Sequence, residues 1–315
     1  MASSRSPASA TTSGASLAFC HAHSADYNHL SAREGRGNRG HESTMPLLWL
    51  RVALGFYGVG LLYALVALSR SSDLLSRIAV PATSLGMVFH FVSLSEAVLL
   101  SGQLTLASVH NSESLLAFMI MAFFMIVYLV YRTTSPGMVV FPSVFLLTFV
   151  AATGEQPFLS MSPGLRTGWL FAHIALIFTG YAALFLSFGA SLLYLVQESS
   201  LKSKNPGRIF SRLPALEVID EIGYRSLLLG FPFMTLGLIA GSVVAQAKFG
   251  RVDFLDPKVF LSLLMWVVYL IMVYTRWNAG WRGRRAAYLA TGAFVAAVVA
   301  WAANYVSTIH RFAAS

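Results

Sequence analysis

Long apolar runs recur along this chain, separated by short polar connections that carry its Gly, Pro, Lys and Arg. Eight runs fall at about 47–69, 77–101, 113–131, 138–154, 168–197, 225–247, 257–277 and 284–307. Each approaches the roughly 20 residues that a helix needs to cross a hydrocarbon layer about 30 Å thick. The pattern predicts an all-α fold: a polytopic integral membrane helical bundle with about eight transmembrane helices. The fourth run is the shortest, with Pro142 inside it and Pro157 soon after. Asp256-Pro257 predicts the start of the seventh helix, with Asp as the N-cap and Pro in the first helical position.

Charge sets the expected orientation. One set of connections holds Arg70, Arg77, Arg132, Lys202, Lys204, Arg208, Arg212, Arg225, Arg276, Arg282, Arg284 and Arg285, against Arg166, Lys248, Arg251, Lys258 and Arg311 on the other side, 12 to 5. Excess Lys and Arg mark the cytoplasmic side. Both termini and the 248–258 connection are therefore expected outside, although Arg5, Arg33, Arg36, Arg39 and Arg51 near the start pull the other way. The expected location is a bacterial-type inner (cytoplasmic) membrane, multi-pass. The basic patches at 202–208 and 280–285 are expected to fix topology and to touch anionic lipid.

Composition fits that picture: 56% of residues are hydrophobic and 11% charged, where a soluble domain carries about 25% charged residues. The single cysteine, Cys20, excludes an intrachain disulfide and a cysteine-rich metal site. Residues 1–44 lack an apolar run of signal-sequence length and read as a disordered extension. Met45 reads as the physiological start, which would leave 1–44 untranslated and 45–315 as one transmembrane domain. His21, His23, His29, His41 and Cys20 in the extension fit either plain disorder or a loose metal-binding tail. No nucleophile elbow, phosphate loop or zinc signature is present, so no enzyme is expected, and no nucleic-acid partner. No inverted repeat of the kind common in secondary transporters is evident.

Ionisable groups within spans are functional candidates by default. His173 lies one turn after Trp169 near the outer end of the fifth span, and Gly180, Ser187 and Tyr194 follow at seven-residue steps. That stripe predicts a helix-packing face. His173 is either hydrogen-bonded across that face or a ligand. His310 lies at the outer end of the eighth span, at the same expected depth, and is either an interfacial residue or a ligand. Two neutral imidazoles at one depth suit the two axial positions of a haem iron. Arg251 and Lys258, among Phe249, Phe254 and Phe260, would suit its propionates, unless this is an ordinary interfacial loop. His90, in the second span, is a secondary ligand candidate; nearby Glu96 is read as a helix-crossing hydrogen bond or a protonated acid rather than a catalytic group. Gly237-Leu-Ile-Ala-Gly241 matches the small-xxx-small pattern of close helix packing.

Several pieces, in order, resemble one family. Trp169-x-x-x-His173 with Tyr194-Leu-Val-Gln-Glu198 is similar to the fifth span of the cytochrome c assembly membrane proteins of the CcsA, CcmC and HemX type. Leu213 to Asp220, Arg225 to Pro232, Gly237 to Ser242, Gly280 to Tyr288 and Asn304 to His310 resemble the same family. The resemblance is good over about 165–315 and looser over 47–135. It implies haem held by His173 and His310 for attachment to apocytochrome c, with a second assembly subunit or the apocytochrome as partner. The loop departs from the family's tryptophan-rich form, reading Val252-Asp-Phe-Leu-Asp-Pro-Lys-Val259, and Tyr274 stands where many members carry a histidine. Those features look closest to the HemX-like branch, which implies the alternative role of a membrane regulator or anchor of glutamyl-tRNA reductase. A scaffold that has lost the ligand is the third reading.

Overall fold

The computed structural model describes residues 44–69, 73–101, 109–154, 168–202, 213–250, 252 and 254–302. These residues form eight helices: α1 (Thr44–Ser69), α2 (Asp73–Ser101), α3 (Val109–Tyr131), α4 (Gly137–Thr153), α5 (Gly168–Lys202), α6 (Leu216–Phe249), α7 (Pro257–Trp277) and α8 (Arg284–Ala302). Among the described residues α1, α2, α3, α5, α6 and α7 are long and apolar enough to cross a membrane. The protein is an all-α polytopic membrane protein. At 17 residues, α4 spans only about 25 Å at the helical rise, as its short apolar run predicts.

Helix α5 is the axis of the bundle. Residues Ala182 to Ser187 are all buried, and a helix apolar on every side belongs in an interior. Its Ala182, Ala183 and Leu186 join a core with residues of α1 to α4, and its Leu184 joins a second core with Met234 of α6, Tyr269 of α7 and Ala290 of α8. Phe188 of α5 stacks on Phe294 of α8, with ring centroids 4.0 Å apart. On the other side Tyr57 of α1 packs against Gly86 of α2, and Phe141 of α4 against Gly60 of α1.

The α5–α6 pair is antiparallel and close, and small residues make it so. Gly180 faces Met234, Gly237 faces Ile177 and Gly241 faces His173. The seven-residue stripe on α5 is a packing face, with Gly180 and Ser187 buried. Polar groups join α7 to this pair. Tyr269 Oη donates to the Gly180 carbonyl at 3.1 Å and Trp266 Nε1 donates to Thr235 Oγ1 at 2.9 Å. A Cβ on Gly230 would lie 2.5 Å from Tyr269 Oη and 2.7 Å from the Ala183 Cβ. Gly230→Ala is therefore expected to cost about 1–3 kcal/mol, the range for overpacking a tight core, read as a lower unfolding midpoint in detergent.

Several helices run a few residues past the expected bounds, and one departure is larger. The sixth helix starts at Leu216 rather than at about 225. The extra turns carry Glu217, Asp220 and Glu221, which break the apolar run. Within them Glu221 pairs with Arg225 one turn on, and Asp220 is paired across the bundle, as described below. The start of α7 follows its sequence: the Val259 N–H donates to Asp256 Oδ1 at 3.3 Å, and Pro257 opens the helix. Of the 1–44 extension only Thr44 is described, at the first residue of α1.

Candidate functional site

His173 sits in the second turn of α5, and α6 builds its surroundings. Its Nδ1–H donates to the backbone carbonyl of Gly237 at 2.7 Å. That carbonyl is within reach because Gly237 and Gly241, one turn apart, let the two helices approach. A Cβ on Gly241 would lie 2.6 Å from Cε1 and 2.7 Å from Nδ1 of the ring. The small-xxx-small motif thus does more than bring helices together: it leaves the space that the imidazole fills. Trp169, one turn earlier, is 57% exposed at the same end of the bundle, beside the equally exposed Phe171.

His310 and Arg251 lie outside the described residues, as do the tail residues Cys20, His21, His23, His29 and His41. Lys258 falls in the first turn of α7, and its side chain lies outside what is described. Of the expected haem-binding set, the structure therefore places His173, Trp169 and His90.

His90 belongs to a different environment. It is fully buried, with Nδ1 joined to Tyr57 Oη of α1 at 3.3 Å and Nε2 joined to Ser114 Oγ of α3 at 2.9 Å. Phe118 closes over the ring edge-on. Both nitrogens are engaged inside the bundle, so ligation by His90 would require this network to open. Removing His90 leaves two buried hydroxyls to find new partners. At the roughly 0.6–1.7 kcal/mol measured for hydrogen bonds between membrane helices, His90→Leu is expected to cost about 1–3 kcal/mol of stability, checked by unfolding in detergent.

A second polar centre lies at the opposite end of α5–α8, and sequence reasoning missed it. Arg276, at the end of α7, donates through Nη1 to both carboxylate oxygens of Asp220 at 2.8 and 3.0 Å, and through Nη2 to the Asp220 carbonyl at 2.9 Å. The side chains are 8% and 21% exposed. The Gly283 N–H also donates to Asp220 Oδ1, at 3.2 Å, so the α7–α8 turn is tied to α6. Tyr224 lies under the guanidinium, 5.0 Å from its ring centroid. A cavity of about 20 Å³ beside the pair, lined by Ser187, Ser191, Tyr194 and Thr275 among others, has room for one water. The only signal in the sequence was an acidic stretch, Glu217 to Glu221, before one apolar run and a base, Arg276, at the end of the next. Tyr274, two residues before Arg276, is 60% exposed on the side of α7 away from this centre.

Chemically, the two ends differ. The Arg276 end is closed upon itself, charge against charge. The His173 end presents an imidazole fixed to a helix pair at a partly buried position. Among the described residues no three His, Cys, Asp or Glu side chains converge on a point where they would hold a bare metal ion. Residues 47–310 match the model of the family described as Cytochrome C assembly protein. The chain belongs to that family. It is similar to "Cytochrome c biogenesis protein CcsA" of Guillardia theta, 29% identical over 216 residues, which cover 62% of this chain and 71% of that protein. It is likewise similar to the CcsA proteins of Prochlorococcus marinus (strain MIT 9215), 32% identical over 45% of this chain and 52% of theirs, and of Synechococcus sp. (strain CC9902), 35% identical over 43% and 52%. The chain thus matches about half the length of the latter two. The relatives named carry the CcsA name and give no support to a placement nearest the HemX branch.

Proposed function

We propose that this protein acts in cytochrome c biogenesis by binding haem at the outer face of a bacterial-type inner membrane, with His173 as one axial ligand and His310 as the other. One observation carries the reading: His173 is locked to the α6 backbone at the membrane-end of a packed helix pair, rather than bonded away in the bundle interior as His90 is. A ligating histidine characteristically donates its other ring N–H to a carbonyl or carboxylate, and His173 does so. The residues present fit the group. Haem, when bound, supplies an iron with two axial positions and two propionate carboxylates. Trp169 offers an apolar face beside the imidazole, and Arg251 and Lys258 supply the charge that propionates need. The family and the CcsA relatives support a part in cytochrome c assembly; the partner proposed with it is an apocytochrome or a second assembly subunit. Exposed apolar residues such as Leu62, Leu129, Leu236 and Ile271 are the surface that lipid would cover.

The regulator reading would need the exposed Arg282, Arg284 and Arg285 to hold a soluble enzyme. Those arginines are equally what the positive-inside rule places at a cytoplasmic helix end, so nothing specific favours it. The test is genetic. In a strain from which this gene is deleted, c-type cytochromes with covalent haem are expected to vanish from haem-stained gels, and to return with the wild-type chain and not with His173→Ala. Normal c-type cytochromes in the deletion strain would refute the assignment.

A further inference from the structure

The imidazole of His173 has two nitrogens, and the structure distinguishes them. A backbone carbonyl only accepts hydrogen bonds, so the 2.7 Å contact between Nδ1 and the Gly237 carbonyl places the proton on Nδ1. In a neutral ring the lone pair is then on Nε2. The ring also lies with one edge against α6: Cε1 and Nδ1 are the atoms within 2.6 and 2.7 Å of where a Gly241 Cβ would stand, with Nε2 farther off at 3.4 Å. The edge bearing Nδ1 is thus buried against the glycine pair, and Nε2 is on the side away from Gly237.

We propose that Gly237 and Gly241 are positioning residues for His173, the first fixing the Nδ1–H tautomer through its carbonyl and the second reserving the ring's place, so that Nε2 is the nitrogen offered to iron. The inference rests on the haem reading for its ligand, but its account of the tautomer and the ring position holds without haem. It assigns the glycine motif a part in the site itself. It also predicts an asymmetry along the α5–α6 interface. Gly180 belongs to the same helix pair, yet a Cβ there would meet Met234 at 3.3 Å and would not touch the histidine.

The direct test is ¹⁵N magnetic resonance on haem-free protein labelled at histidine, in detergent or bilayers, with His173→Gln identifying the His173 signals. The expected result is a single tautomer with the proton on Nδ1. A proton on Nε2, or exchange between tautomers, overturns the proposal. Haem titration of three proteins completes the test. Gly241→Ala is expected to weaken haem binding about 10–100-fold, the usual cost of disturbing an outer-shell partner of a metal-ligating histidine, while Gly180→Ala keeps the wild-type affinity. Wild-type affinity in Gly241→Ala overturns the proposal, and so do equal losses in the two variants, which would reduce the motif to helix packing. A wild-type chain that takes up no haem, but whose His173 ring holds the Nδ1–H form that Gly241→Ala abolishes, would sink the haem reading and leave the positioning of the ring standing.

Discussion

His173→Ala is expected to lose its haem during purification, while its stability in detergent stays close to that of the wild type. The ring donates to the Gly237 carbonyl, and a hydrogen bond between membrane helices contributes only about 0.6 kcal/mol on average. The ligand role carries far more weight. Losing an outer-shell partner alone lowers metal affinity about 10–100-fold, so losing the axial ligand is expected to lower haem affinity at least about hundredfold. His173→Gly supplies the complementary experiment. It leaves space for free imidazole against Gly241, and added imidazole is expected to restore a low-spin spectrum. Haem retained in His173→Ala at wild-type affinity would show that the iron is held elsewhere.

Arg276→Ala is expected to have the largest effect on stability. The guanidinium is 8% exposed and makes three bonds to Asp220 alone. Removing one partner of a buried ion pair typically costs about 3–5 kcal/mol, because the remaining charge is left without compensation. Asp220 retains the Gly283 N–H and some solvent, so a loss of about 3 kcal/mol is expected, read from the unfolding midpoint in detergent. Asp220→Asn with Arg276→Gln removes both charges and is expected to recover much of that loss. The pair is about 30 Å from Gly241 along α6, by the helical rise. Arg276→Ala that still folds should therefore bind haem as the wild type does, whereas His173→Ala should show the reverse pattern. A midpoint for Arg276→Ala equal to that of the wild type would mean that the pair contributes nothing net.

The eight helices were legible because an apolar run of about 20 residues has few other uses. The α7 cap was legible for a local reason: Asp256 and Pro257 act within one turn of themselves. The stripe of Gly180 and Ser187 showed which face of α5 packs, but not against what. That Gly241 would stand opposite His173 depends on the register of two antiparallel helices. Register is set by the sum of close contacts along the whole pair, and periodicity within either helix does not encode it. The same limit hid the partners of His90, which come from α1 and α3. It also hid the first turns of α6, where acids interrupt the apolar pattern and one of them, Asp220, is compensated by an arginine 56 residues later.

The measurement that bears most directly on the haem assignment is the absorption spectrum of the purified chain in mild detergent, recorded as isolated and during titration with haem. A Soret band with the sharp visible bands of a low-spin, bis-histidine iron, saturating at one haem per chain, is the predicted result. A chain that shows no such band as isolated, and takes up no haem on titration, would contradict the account at its centre.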